Sequence, residues 1–222
     1  MNDFATQVTG WLFIAAACML WLGWTLMPVH LGPFLAAGDF SRVYKSLRRW
    51  IWLYRVHLFG YIVTVMAFVA LGTLLAETLA RIVIWPAVAV AGAGLMVAAL
   101  AAAFYYHFGA WGAIDMQGKS PEAIQGFVDS LRVSTEYVTC LVRFGRVFFG
   151  LGQVVLAVGF LQGGIMPLWV TVSAAALGLA GMGLTMAFPD NLEFYRPVFH
   201  LTAVWLVATG IVVLRFSLSV AG

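Results

Sequence analysis

A chain of 222 residues that is 63% hydrophobic and only 9% charged lacks the charge to coat a water-facing surface of its own size. Lipid must solvate most of it, which excludes a soluble domain and leaves no nucleic-acid footprint. The net charge of +3 says less than the placement of the twelve Lys and Arg residues, because that placement sets topology.

The first nine residues, MNDFATQVT, lack the basic segment of a cleavable signal, and the apolar run that follows is long enough to stay in the membrane. A first span is expected over about residues 10–29, flanked by Trp11, Trp21 and Trp24 and limited by Met27-Pro28, with His30 at its exit. In the next stretch Asp39 or Ser41 can cap a short helix. Phe40, Val43, Tyr44 and Leu47 fall on one side of it, and Arg42, Lys45, Arg48 and Arg49 elsewhere, the pattern of an interfacial amphipathic helix. The second span, about 51–75, carries Arg55 and His57 in its first turns and is uncharged from Leu58 to Leu75.

A tight turn holding Glu77 and Arg81 leads to the third span, about 82–108. Its small residues Ala87, Ala91, Gly94 and Ala98 predict close helix packing, and it ends in Phe104-Tyr105-Tyr106-His107. The most polar stretch follows, about 109–139. Ser120-Pro121-Glu122 reads as a helix start, with Ser as cap, Pro in the first turn and an acid at the positive helix end. Ile124, Phe127, Val128, Leu131 and Val138 recur at helical spacing, so a second, longer interfacial helix is expected. Asp115, Glu122, Asp129 and Glu136 read as its solvated face. The fourth span, about 141–161, opens with Arg143 and Arg146 and holds Gln153 near its middle. A fifth, about 168–188, carries Ala174, Gly178, Gly181 and Gly183; a sixth, about 194–214, opens with Arg196, Pro197 and His200.

The expected fold is an all-α membrane protein in one domain over residues 1–222. It has six transmembrane helices as three hairpins and two interfacial amphipathic helices on the cytoplasmic side. Arg42, Lys45, Arg48, Arg49, Arg55, Lys119, Arg132, Arg143, Arg146 and Arg196 fall on the side of the long loops; only Arg81 and Arg215 fall on the other. That asymmetry places the long loops in the cytoplasm and both termini outside. The Ala-, Val- and Gly-rich composition suits a bacterial inner membrane. The second helices of the three hairpins also look alike, each with basic residues at its start and a late glycine (Gly72, Gly159, Gly210). A threefold repeat and the small alphabet of membrane helices both account for this.

His57, His107 and His200 lie at one depth with Arg55, Arg143, Arg146 and Arg196, among Tyr54, Tyr61, Tyr105, Tyr106 and Tyr195. Such a level suits a b-type haem, with two of the three imidazoles on the iron and guanidinium groups on the propionates. It equally suits a quinone head group, an anionic lipid, or plain interfacial anchoring. No His-x-His or Glu-x-x-His spacing points to a metal by itself, and no nucleophile or nucleotide-binding motif makes the chain an enzyme on its own. Near mid-membrane only Gln153, Thr64 and Ser173 are polar, which disfavours an ion-coupled transporter. Cys18 and Cys140 are expected to be small buried apolar residues. The expected function is a membrane subunit of an electron-transfer assembly holding haem b or quinone near the cytoplasmic face. The alternatives are a scaffold whose basic loops dock a cytoplasmic partner or other membrane subunits, and a small-solute or ion transporter.

Overall fold

In lipid every backbone N–H and C=O must find its partner inside the chain, so each long apolar run closes into a helix. The computed structural model describes residues 3–28, 40–76, 78, 80–164, 166–188 and 192–220; His30 and the capping candidate Asp39 lie outside them. The helices among the described residues are α1 (Asp3–Thr25), α2 (Phe40–Lys45), α3 (Leu47–Leu74), α4 (Arg81–Asp115), α5 (Pro121–Gly163), α6 (Leu168–Ala187) and α7 (Leu192–Val220). Six of them, all but α2, are long and apolar enough to cross a membrane.

The six follow one another around a closed ring. α1 packs on α3, α3 on α4, α4 on α5, α5 on α6 and α6 on α7, and α7 returns to α1. The outward face is apolar: Phe59, Ile62, Met66 and Val69 form one exposed stripe along α3, and Leu201, Val204 and Ile211 are exposed along α7. A contiguous apolar exterior of this kind is stable only in lipid. The ring is filled from within. Phe68 of α3 meets Phe13 of α1, Phe149 of α5 and Trp205 of α7, with ring centroids 5.6, 6.1 and 6.4 Å away.

Small residues set how closely the helices approach. A Cβ added at Gly150 of α5 would lie 2.6 Å from the Gly178 carbonyl oxygen of α6, so backbone meets backbone there. Gly183, on the same helix, has nothing within 4 Å of such an atom. Gly178→Leu is therefore expected to destabilise the bundle by about 2–3 kcal/mol through overpacking, whereas Gly183→Leu is silent. Denaturation with SDS in mixed micelles, followed by circular dichroism, distinguishes the two. The three late glycines do not share one environment: Gly72 and Gly159 both face α4, and Gly210 faces α1. In a threefold ring Gly159 would face α6 instead.

The second expected interfacial helix is not a separate element, and of the first only the six-residue α2 stands apart, with its apolar side against protein rather than lipid. Ser120 does cap a helix, accepting from the Ala123 N–H at 3.3 Å with Pro121 next, but that helix runs unbroken to Gly163. α5 has 43 residues and α6 has 20, and the two share a turn at Gly164, which caps α5 with φ 61°. α6 is about 30 Å long, the thickness of the hydrocarbon layer. Roughly the first half of α5 therefore projects beyond the end of α6, alongside the last turns of α4.

A second core holds this projection together. Met27, Phe40, Val43, Trp50, Ala110, Ala113 and Leu131 are buried in it, with Ile124, Phe127 and Val128 packed against them. The apolar faces read as lipid-facing meet another helix instead, and α2 is pinned down by Phe40 and Val43. Both cysteines are exposed on the outside of the helices, contrary to the expectation of burial.

Candidate functional site

The end of the ring from which α3, α5 and α7 start carries the projection and most of the cations, and is the basic end of the molecule. Just inside it, polar side chains from several helices converge on the interior. On α3, Tyr54, His57 and Tyr61 follow at three- and four-residue spacing, so they share a face. His57 is buried, and both its ring nitrogens are engaged. Nδ1 lies 3.2 Å from the Leu20 carbonyl oxygen of α1, and Nε2 lies 3.1 Å from the Tyr61 hydroxyl. A carbonyl can only accept, so Nδ1 carries the hydrogen. In the neutral ring Nε2 then accepts from Tyr61.

Two glycines make this contact possible. A Cβ at Gly23 would lie 2.7 Å from the His57 Cβ, and one at Gly60 would lie 2.9 Å from the Leu20 backbone nitrogen. They let α1 and α3 come close enough for the Leu20 carbonyl to reach the imidazole. Nothing in composition or spacing singles them out beforehand. Trp24, Tyr61 and Phe199 box the imidazole, with ring centroids 6.0, 4.9 and 6.4 Å away.

α5 contributes Arg146. Its guanidinium carbon stands 4.3 Å from the centroid of the Tyr195 ring of α7. Tyr61 of α3 and Tyr105 of α4 are within electrostatic reach of the same cation. α5 adjoins neither α3 nor α7 around the ring, so the contact with Tyr195 is made across the interior. Arg146 is half-buried, and no carboxylate faces it among the described residues. Asp115, Glu122, Asp129 and Glu136 are all exposed on the projection, where Glu136 lies 3.8 Å from Arg132. Three residues deeper on α5, Phe149 joins the Phe13–Phe68–Trp205 packing that closes the ring below. Gln153, only 1% exposed, lies one turn further, and its Nε2 has no hydrogen-bond partner among the described residues.

The expected site residues therefore divide. His57 and Arg146 reach the interior. His200 is half-buried on α7, and its Nδ1 accepts from Trp21 Nε1 at 3.1 Å. His107 is exposed on α4 against Phe108 and Trp111. Arg55 is exposed, donating to the Tyr106 hydroxyl at 3.1 Å. Arg143 is half-buried nearer the basic end, and Arg196 is exposed on α7. Among the described residues no three His, Cys, Asp or Glu side chains gather where they could hold a metal ion.

A closed ring of six helices long and apolar enough to span a membrane is the architecture of a multi-pass α-helical membrane protein, here with a polar cluster inside one end. No protein-family model, no curated protein and no solved structure matches the chain.

Proposed function

We propose that the chain is an integral membrane subunit of an electron-transfer assembly that holds a quinone head group among His57, Tyr61, Arg146 and Tyr195. The basic end then faces the cytoplasm of a bacterium, and both termini lie across the inner membrane. The observation that carries this reading is the set of groups around Arg146. A half-buried cation with no acid opposite it among the described residues, a phenol and an imidazole already joined by a hydrogen bond, and flat aromatic walls suit a planar ligand with carbonyl oxygens. Those oxygens gain negative charge on reduction, which the guanidinium stabilises.

Reduction of a quinone to its quinol takes two electrons and two protons. The electrons would come from a redox centre on a partner subunit. This chain's part is to bind the ring, orient it and deliver protons. When His57 takes up a proton, both its nitrogens donate; Nε2–H then turns to the Tyr61 oxygen, and the Tyr61 O–H is released toward the ligand. A b-type haem suits the residues less well. It needs two imidazoles with a free nitrogen facing one cavity, whereas both His57 nitrogens are engaged, His107 is exposed and His200 is bonded to Trp21. A transport path is disfavoured by the aromatic packing between the polar cluster and the opposite end.

Trp24 provides the readout, since it lies against the His57 box. A short-chain ubiquinone analogue is expected to quench Trp24 fluorescence saturably, with the signal absent in Trp24→Phe. Tyr61→Phe should weaken binding about tenfold, the loss of one hydrogen bond to a polarised carbonyl. Absence of saturable quenching, together with no quinone in an organic extract of the purified protein, overturns the reading. A Soret band in the reduced-minus-oxidised spectrum would replace quinone with haem.

A further inference from the structure

Outside the bundle, at the same end, lies a feature that the interior cluster does not use. α2 and the first turns of α3 carry Arg42, Lys45, Arg48, Arg49 and Arg55, all exposed. No Asp or Glu occurs anywhere from Phe40 to Ala76. These cations are held in place rather than trailing on a loop. Phe40, Val43 and Trp50 bury the underside of the segment in the second core. Arg49 donates to the Leu26 carbonyl at 3.4 Å. Arg55 donates to Tyr106 and lies 5.2 Å above the exposed Trp52 ring.

Their position along α3 gives the shelf its meaning. Trp52, Arg55, Phe59, Ile62, Met66 and Val69 recur at three- and four-residue steps, so they form one outward stripe. The stripe is apolar from Phe59 on, where hydrocarbon lies against it. Arg48, Trp52 and Arg55 then occupy the head-group layer directly above. The charge rule that orients a membrane protein needs only cations on one side. It does not need them fixed by packing and stacked above a lipid-facing stripe.

We propose that this shelf binds anionic phospholipid from the leaflet at the basic end. The phosphates sit among Lys45, Arg48, Arg49 and Arg55, Trp52 lies at the ester level, and the acyl chains run down Phe59, Ile62, Met66 and Val69. The site is independent of any ligand inside the ring.

The test uses the full chain, purified in a neutral detergent and supplemented with phosphatidylglycerol, phosphatidylcholine or inorganic phosphate at equal phosphate concentration. Phosphatidylglycerol is expected to raise the unfolding temperature by about 5 °C more than phosphatidylcholine. Inorganic phosphate gives no shift. Lys45→Gln/Arg48→Gln/Arg49→Gln loses at least half of the difference, and Arg48→Lys/Arg49→Lys keeps most of it. If the neutralised chain does not fold, native mass spectrometry of the unaltered chain reads the same property: bound phosphatidylglycerol should fall several-fold between low and high salt during lipid loading, and bound phosphatidylcholine should not. Equal shifts from the two lipids, an equal shift from inorganic phosphate, an undiminished lipid difference in the neutralised variant, or salt-independent lipid retention each overturns the proposal.

Discussion

Arg146→Leu is expected to empty the interior site and, at the same time, to make the ligand-free bundle more stable. The guanidinium is half-buried, and its described contact is with the face of Tyr195 at 4.3 Å. A desolvated cation–π contact contributes about 2 kcal/mol. Withdrawing an ion from water costs several kcal/mol, and no described carboxylate offsets it. Without ligand the arrangement is therefore a net cost to folding. We expect Arg146→Leu to gain about 1–3 kcal/mol in SDS unfolding, because an apolar side chain of similar volume removes a charge with no described counter-ion. Quinone affinity should fall more than about tenfold, as expected for the loss of a charge-assisted hydrogen bond. Arg146→Lys keeps the charge but loses the planar stack on Tyr195, so it should fall between the two. The opposite pair of results, lost stability with unchanged quinone affinity, would make Arg146 a strut that positions Tyr195 and nothing more.

The division of the sequence-predicted residues has a physical reason. Depth along a membrane helix is legible by counting residues from a turn, and all six spans fall where their apolar runs place them. Rotation about the helix axis is not. In a soluble helix the apolar side marks the core, but here the outward face of α3 is as apolar as the inward one. His57 and His107 thus look equivalent in sequence, although one is buried and the other exposed. Gly178 and Gly183 divide in the same way. The interfacial helices fail for a related reason. Ile124, Phe127, Val128 and Leu131 do form an apolar face, and periodicity cannot tell a face that meets head groups from one that meets α2 and α4. Arg146 and His57 stand out by type, because a cation or an imidazole within an apolar run needs an explanation. Gly23 and Gly60, which let α1 reach His57, carry no such mark.

Trp50→Ala should loosen the projection while leaving the ring in the membrane intact. Two separate cores make this expectation sharp. One surrounds Phe68, Phe149 and Trp205; the other surrounds Trp50. Trp50 is fully buried, its ring 4.6 Å from Tyr54 and stacked on Tyr106 at 6.3 Å. Removing a buried Trp side chain costs about 3–5 kcal/mol, because the neighbours only partly fill the space. α2 has just six residues and is held by Phe40 and Val43, and a helix of that length does not persist without tertiary packing. Amide hydrogen exchange should therefore lose protection over residues 40–50 and 110–131, whereas residues 60–74 of α3 keep theirs. Quinone binding should weaken only a few-fold, because Tyr54 and Tyr105 lose support while Arg146, His57 and Tyr195 do not. Loss of protection across both cores together would show that projection and ring unfold as one unit, in which case the wall beside the site is part of the bundle that the membrane stabilises.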